Sequence, residues 1–169
     1  MARGATKACG NVWYEARMEA AKTDERLLSR EGAAERANMS VDAIKNTELG
    51  LEKCMPVEKA VLLADAYGAP HLLNHYCLHE CPIGRNMPIS DEVISIEHVT
   101  VKLMKNLRTS DIEKVKDKLI DIAEDGKISD DEKPELQEVM QYLDALSKTV
   151  SELRIIGEKI LKGEKDGQV

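Results

Sequence analysis

Apolar residues before position 82 recur at helical spacing in short segments, and turn-forming residues separate these segments. Val12, Trp13, Ala16 and Ala20 follow each other in the steps of one helix face, so the pattern predicts a first helix over about residues 11–23. Similar spacing predicts four more helices, over about residues 30–37, 41–49, 57–67 and 71–76.

Capping and turn residues set the ends of the second and third predicted helices. Ser29 and Ser40 each stand where an N-cap hydroxyl is expected, just before the helical spacing begins. Asn38 lies between the two helices, where a left-handed backbone conformation is expected. Asparagine tolerates this conformation better than most residues. Gly50 follows the third helix and is typical of a helix end.

The second half of the chain reads as three longer helices. Ser90 is expected to cap the first of them, and Thr109 or Ser110 the second. After a turn at residues 125–126, the last helix is expected to run over about residues 131–161, with Pro134 tolerated in its first turn. Since no long stretch alternates in strand fashion, the sequence predicts an all-α protein.

The last helix carries a heptad seam, with apolar residues in alternating steps of three and four. Such a seam is typical of a dimer interface, and it also suits an intramolecular three-helix bundle. The two arrangements are compatible, because a helical hairpin from each of two subunits makes a four-helix bundle. The candidate dimerisation residues are Leu136, Val139, Leu143, Leu146, Val150, Leu153 and Ile160.

Two prolines and a glycine break the chain between its two halves, so residues 82–89 are interpreted as a linker. Residues 1–81 would form the first domain and residues 90–169 a helical dimerisation or effector region. Aromatic residues make up only 3% of the chain, so the core must consist mainly of aliphatic side chains and alanine, which favours helices.

The segment from Leu28 to Gly50 reads LSREGAAERANMSVDAIKNTELG. It resembles the helix-turn-helix of the phage repressor/Cro (XRE) family, whose usual form is close to L-S-Q-E-E-L-A-E-R-L-G-V-S-x-x-x-I-S-x-x-E-x-G. The resemblance extends over about residues 11–77 and implies a five-helix domain that binds double-stranded DNA. The matching residues are Ser29, Glu31, Ala34, Glu35, Arg36, Ser40, Ile44, Glu48 and Gly50.

By this resemblance, the helix that begins after Ser40 would enter the major groove, and Ala34 would be small because two helices cross there. Two departures stand out. Thr47 replaces a usually apolar residue, and Gly32 is expected to weaken the second helix by about 1 kcal/mol relative to alanine. The residues implied to contact the bases are Arg30, Val41, Asp42, Ala43, Lys45 and Asn46. Those implied to contact the DNA phosphate backbone are Ser29, Ser40, Arg36 and Lys53, with Arg3 and Lys7 in addition.

The charge distribution argues weakly against a nucleic-acid partner, since the net charge is −7. Residues 1–82 carry 10 basic and 12 acidic side chains, so the predicted DNA-binding half is not basic. This observation, together with Asp42 at the start of the third helix, favours an alternative: a protein–protein interaction module with a degenerate helix-turn-helix. A protein partner would then use the C-terminal helices.

Several other functions are not supported by the residue patterns. No nucleophile elbow, phosphate-binding glycine loop or HExxH sequence occurs, so no enzyme is expected. No apolar run approaches the roughly 18–20 residues of a membrane span, and no secretory signal is evident, so a cytoplasmic location is expected.

Two segments contain groups that bind metals. His75, Cys77, His79 and Cys81 lie within seven residues and offer weak candidate ligands for zinc, although the C-x3-C spacing is unusual for a zinc site. The alternative is a helix end with a buried thiol and exposed imidazoles. Residues 121–132 have the frame of a calcium loop but lack the acidic third ligand, and a helix end followed by a capping box accounts for them equally well.

Overall fold

The computed structural model describes residues 7–123 and 126–165 of the 169-residue chain. Within these residues the protein is all-α, with eight α-helices, two short 3-10 helices and no strand. None of the described helices combines the length and the apolar character that a membrane span requires. The α-helices are α1 (Val12–Ala20), α2 (Arg30–Arg36), α3 (Val41–Glu48), α4 (Val57–Ala66), α5 (His71–His79), α6 (Ile96–Asn106), α7 (Thr109–Ala123) and α8 (Lys133–Lys165).

The chain divides into two compact units, one formed by Met1–Asn86 with Glu158–Val169 and the other by Met87–Gly157. The first unit contains the five predicted short helices, α1 to α5. Two of them end elsewhere than the spacing predicts: α1 stops at Ala20, and α5 continues to His79. A 3-10 helix that the spacing did not predict, Glu25–Leu28, leads into α2.

Alanine dominates the core of the first unit, and this allows helices of only seven to ten residues to pack closely. Ala33 and Ala34 of α2 and the C-cap residue Ala37 are buried, and α2 packs against both α3 and the 3-10 helix Glu25–Leu28. The larger core side chains include Trp13, Leu27, Ile44, Leu63 and Leu72. The expected crossing of the two helices at Ala34 is therefore consistent with the structure.

The second unit is built from α6, α7 and most of α8. The expectation that Ser90 caps its first helix is wrong, because α6 begins at Ile96 and its N-cap is Ser95. The backbone of Ser90 is instead held by Ser151, whose hydroxyl donates to the Ser90 carbonyl at 3.2 Å and accepts from its N–H at 3.3 Å.

Polar contacts join α6 to α8 inside the second unit. The carboxamide of Asn106 donates to the Thr149 hydroxyl at 2.9 Å, and the ammonium of Lys102 lies 2.7 Å from the carboxylate of Glu152. Of the predicted seam, Val139 is buried and Leu136, Leu146 and Leu153 are half-buried, whereas Leu143, Val150 and Ile160 are exposed.

Candidate nucleic-acid interface

The turn between α2 and α3 has the geometry that its capping residues predicted. The Ser29 hydroxyl accepts from the N–H of Gly32 at 3.0 Å, and the Ser40 hydroxyl accepts from the N–H of Ala43 at 3.1 Å. Asn38 has a φ of 52°, which confirms the left-handed turn. The two helices are thus fixed by local hydrogen bonds before any long-range contact is considered.

The first turn of α3 is open to solvent. Val41, Asp42 and Lys45 are exposed, and Ala43 and Asn46 are half-buried. Ile44 and Thr47, on the other side of the helix, are buried. The five candidate base-reading residues of α3 are therefore exposed or half-buried, the sixth, Arg30 in α2, is half-buried, and the candidate phosphate-backbone contacts Ser29, Ser40, Arg36 and Lys53 are exposed.

The buried carboxylate of Glu48 holds the C-terminal end of α3 in place. Glu48 is 1% exposed, and its Oε1 accepts from Nε of Arg17 in α1 at 2.5 Å. Its Oε2 accepts from Nε of Arg30 in α2 at 2.7 Å. One side chain thereby ties α3 to both preceding helices, and each oxygen has its own charged donor.

The Arg17 guanidinium extends this network to the segment that precedes α2. Its Nη1 donates to the carbonyl of Leu27 at 2.6 Å and to that of Leu28 at 3.2 Å. Arg17 is 3% exposed, and its guanidinium also lies 5.4 Å from the ring centre of Tyr14. A cation buried in this way requires a counterion and hydrogen-bond acceptors, which Glu48 and the two carbonyls provide.

A phenol lies close to the same ion pair. Burial in the core raises the pKa of Tyr67 above its ordinary value, the negative charge of Glu48 raises it further, and the positive charge of Arg17 lowers it. Tyr67 is 6% exposed. The side chain therefore remains neutral at physiological pH and adds no charge beneath α3.

A second buried polar cluster supports the middle of α3. The Ala43 carbonyl accepts from Nζ of Lys59 and from the Thr47 hydroxyl, each at 2.9 Å. Lys59 also pairs with the carboxylate of Glu52 at 2.5 Å. Thr47, which departs from the family pattern, is thus buried with its hydroxyl bonded, so a polar network takes the place of an apolar contact.

Sequence analysis missed both polar networks. In the sequence, Glu48 only matches the pattern that the segment resembles, and nothing in the sequence marks Arg17 or Lys59 as a functional candidate. One signal was available for Glu48, since it follows the buried Ile44 by four residues and so shares its helix face. The partners of these side chains lie 7 to 31 residues away along the chain and outside the helix that carries each side chain, so helical spacing rules do not identify them.

The exposed faces of α2 and α3 carry one more carboxylate than cations. Arg36 and Lys45 are exposed cations, and Glu31, Glu35 and Asp42 are exposed carboxylates. The cation of Arg30, 32% exposed at its side chain, is paired with Glu48. The interface therefore offers specific hydrogen-bonding groups without a surplus of positive charge.

The four candidate zinc ligands are not gathered into one site. The rings of His75 and His79 lie with their centres 4.3 Å apart on successive turns of α5. Among the described residues, however, no three of His75, Cys77, His79 and Cys81 bring their ligand atoms within 4.8 Å of one another. Cys77 instead packs against the backbone of Gly84. A Cβ added at Gly84 would lie 2.3 Å from the carbonyl oxygen of Cys77.

The calcium-loop frame falls partly outside the described residues, because Asp125 is one of its ligands. In the described portion, the Glu132 carboxylate accepts from the N–H of Ser129 at 2.7 Å and from its hydroxyl at 2.5 Å. The backbone contact is one half of the expected capping box. Glu132, the twelfth residue of the frame, is thus engaged with Ser129.

Comparisons of the chain with protein-family models, with curated proteins and with solved structures gave no match.

Proposed function

We propose that residues 11–77 bind double-stranded DNA through α3, and that the protein is a sequence-specific transcriptional regulator of the phage repressor type, from a bacterium or phage, acting as a dimer. The proposal depends on one observation. The first turn of α3 is capped by Ser40 and open to solvent, and the other end of the helix is held by Glu48. A rigid helix that presents accessible side chains from its first turns is what major-groove recognition requires.

The side chains at this end of α3 suit base edges. Asn46 can bond the N6 and N7 positions of adenine, and Val41 or Ala43 can contact a thymine methyl group. Asp42 can accept from the amino group of cytosine. Lys45 provides a cation for phosphate, and the exposed hydroxyl of Ser29 and the cations of Arg36 and Lys53 are further backbone contacts.

Arg30 contributes from the start of α2. Its Nε is held by Glu48, and this contact limits the conformations that the guanidinium samples before binding. A guanidinium has five N–H donors, so a contact through Nε is compatible with a second contact to guanine or phosphate. Residues 90–169 would supply the dimerisation or effector region.

The absence of a surplus of positive charge on α2 and α3 supports a second candidate, a protein–protein interaction module with a degenerate helix-turn-helix. Exposed carboxylates at Glu31, Glu35 and Asp42 repel a phosphate backbone but are compatible with a protein partner. In that case the partner would be a basic or mixed-charge protein surface. The experiment below separates the two candidates.

Selection from a random DNA pool tests the proposal directly. We expect a selected sequence to bind in a salt-dependent manner, and we expect Arg30→Ala and Asn46→Ala each to weaken that binding by about 10- to 100-fold, the effect of losing one good base contact. Fluorescence anisotropy at fixed salt measures the affinity. Arg85→Ala, at an exposed arginine outside α2 and α3, removes the same charge and is expected to change affinity by less than about threefold.

The outcomes distinguish the two candidates. If neither Arg30→Ala nor Asn46→Ala changes binding to the selected site, α3 is not the reading element. If no sequence is enriched at low salt by the correctly folded protein, the DNA proposal fails and the protein-partner candidate gains support. Circular dichroism of each variant confirms that its helices are intact.

A further inference from the structure

Two histidines near the end of α5 bring their imidazole rings together. His75 and His79 are four positions apart, the spacing at which side chains lie on the same face of a helix. Their ring centres are 4.3 Å apart, with the ring planes at 37°. A ring nitrogen of one lies within 4.8 Å of a ring nitrogen of the other. One turn of helix therefore presents two nitrogen donors side by side.

The two rings differ in their surroundings. His75 is half-buried, and its ring meets the ring of Trp13 at 81° with the centres 6.3 Å apart. Trp13 is 5% exposed in the core of the first unit, so this contact limits the orientations that the His75 ring adopts. His79 is exposed. One donor is thus positioned in advance, which lowers the entropic cost of binding, and the other is accessible to an ion from solvent.

The separation of the two nitrogens suits an ion between them. An imidazole nitrogen binds a transition-metal ion at about 2.0–2.1 Å, so two nitrogens on one ion are at most about 4 Å apart. Because the nitrogens of His75 and His79 already lie within 4.8 Å, a small rotation of the exposed ring brings them to that separation. Histidines at this same spacing hold zinc in the HExxH sequence of metalloproteases, so one helix suffices to supply two ligands.

The surroundings of the pair favour a cation and leave room for water. His79 is the last residue of α5, where the helix dipole is negative. The exposed carboxylate of Glu80 follows it, and His75 and Glu80 line the same surface cleft. The one nearby cation, Arg85, is engaged through Nη2 with the His79 carbonyl at 2.6 Å in the described part of the chain. Water molecules in the cleft can supply the remaining ligands of an ion.

We propose that His75 and His79 form a two-histidine site for a divalent transition-metal ion of the kind that imidazole prefers, with Cu²⁺ and Ni²⁺ bound best. Within the described residues, the sulfurs of Cys77 and Cys81 do not join the two rings at ligand distance. The site therefore lacks the four protein ligands of a structural zinc centre. Two imidazoles completed by water suit the tetragonal geometry of Cu²⁺ or Ni²⁺ instead. This inference does not rest on DNA binding.

Titration of the 169-residue chain with Ni²⁺, prepared without a histidine tag, tests the site. Ni²⁺ is the first probe because, unlike Cu²⁺, it does not oxidise thiols. Trp13 is the only tryptophan and its ring lies beside His75, so a paramagnetic ion bound there should quench its fluorescence. We expect saturable quenching, with one Ni²⁺ per chain by isothermal titration calorimetry.

Removal of one imidazole tests the donors. We expect His79→Ala to weaken Ni²⁺ binding by about 100-fold, because the helix no longer holds a second donor at high effective concentration. His75→Gln should have the same effect. His71→Ala and His98→Ala are the matched controls, since each removes an imidazole outside the pair, and both should change the affinity by less than about threefold.

A repositioned imidazole tests the spacing. His79→Gln combined with Glu80→His keeps the number of histidines but moves the second ring by about 100° around the helix, away from His75. We expect this protein to bind Ni²⁺ as weakly as the His79→Ala protein does. Wild-type affinity in this variant would show that the spacing is irrelevant and that surface histidines bind an adventitious ion only.

Two further measurements identify the donors and the ion class. Cys77→Ser combined with Cys81→Ser should leave the affinity for Ni²⁺ unchanged, because the thiols are not ligands of the proposed site. In this cysteine variant, affinity should fall in the order Cu²⁺, Ni²⁺, Co²⁺, Mn²⁺. Mg²⁺, which prefers oxygen ligands, should not displace Ni²⁺.

Four results would overturn the inference. They are no saturable binding up to about 1 millimolar Ni²⁺, unchanged binding by the His79→Ala protein, loss of binding in the cysteine variant, or loss in the His71→Ala protein with none in the His79→Ala protein. Circular dichroism of each variant establishes that its helices are intact. Since none of these measurements contains DNA, their outcome is separate from that of the proposed function.

Discussion

Replacing Glu48 with alanine is expected to lower the free energy of unfolding of the first unit by about 3–5 kcal/mol, because the change leaves a buried guanidinium without its counterion. Arg17 has a side-chain exposure of 4% and would retain only uncharged partners, namely the carbonyls of Leu27 and Leu28, the Met18 sulfur and the Tyr14 ring. Arg30 would lose the same carboxylate, at smaller cost, since it is partly exposed. A loss of this size is a large part of the stability of a small domain.

Tryptophan fluorescence during urea denaturation measures this effect in the right part of the molecule. Trp13 is the only tryptophan and is 5% exposed in the core of the first unit, so its emission reports that unit. Glu35→Ala, at an exposed carboxylate of the same motif, is the control and should change stability by less than about 0.5 kcal/mol. If the free energy of unfolding of the Glu48→Ala protein lies within about 1 kcal/mol of that of the wild type, the change behaves like an ordinary surface substitution. That result would contradict the importance of the buried ion pair.

A double replacement separates the pair from its burial. Arg17→Met with Glu48→Leu removes both charges and keeps apolar volume, and such exchanges are often neutral or stabilising for buried pairs. We expect it to recover most of the stability that Glu48→Ala loses. If it does not, Arg17 matters chiefly for the carbonyls of Leu27 and Leu28.

Gly32→Ala is expected to destabilise the first unit by about 2–3 kcal/mol, because an added methyl group would overlap a backbone that cannot move away freely. A Cβ at this position would lie 2.0 Å from the carbonyl oxygen of Arg26 and 2.7 Å from its carbonyl carbon. Helix propensity alone predicts the opposite sign, a gain of about 1 kcal/mol. The structure therefore reverses the expectation drawn from the sequence.

Gly157 provides the matched control for this prediction. It also lies within a helix, α8, but a Cβ there would meet nothing within 4 Å. Gly157→Ala should accordingly show the ordinary propensity gain of up to about 1 kcal/mol, measured by the circular dichroism of thermal unfolding. A stabilised Gly32→Ala protein would mean that the 3-10 helix Glu25–Leu28 does not pack against α2 as described.

Local signals were sufficient for most of the helices and for the turn at the proposed interface. Ser29, Asn38 and Ser40 act through hydrogen bonds or backbone conformations within a few residues of themselves, so their positions in the sequence contain the necessary information. The error at Ser90 has the opposite cause. A serine before apolar spacing looks like a cap, but its backbone is held by Ser151, 61 residues away.

The supports of α3 could not be predicted for the same reason. The helix propensity of Gly32 takes no account of the Arg26 carbonyl beside it. Likewise, the sequence pattern at Thr47 does not reveal the polar partners that Lys59 and Glu52 provide. Each of these environments depends on how separate helices meet, which one sequence does not reveal. The roles of Arg30, Val41, Asp42, Lys45 and Asn46 remain predictions that the binding experiment addresses.

The sharing of one carboxylate between Arg17 and Arg30 has an evolutionary consequence. Changing Arg30 alters a candidate reading residue and also removes a charged partner from Glu48, so that position would drift slowly. Val41, Asp42 and Lys45 are exposed on α3, and substitutions there would disturb the fold little. Substitutions that change the preferred DNA sequence would therefore accumulate first in α3, while Arg30 at the start of α2 stays constant among descendants of this chain.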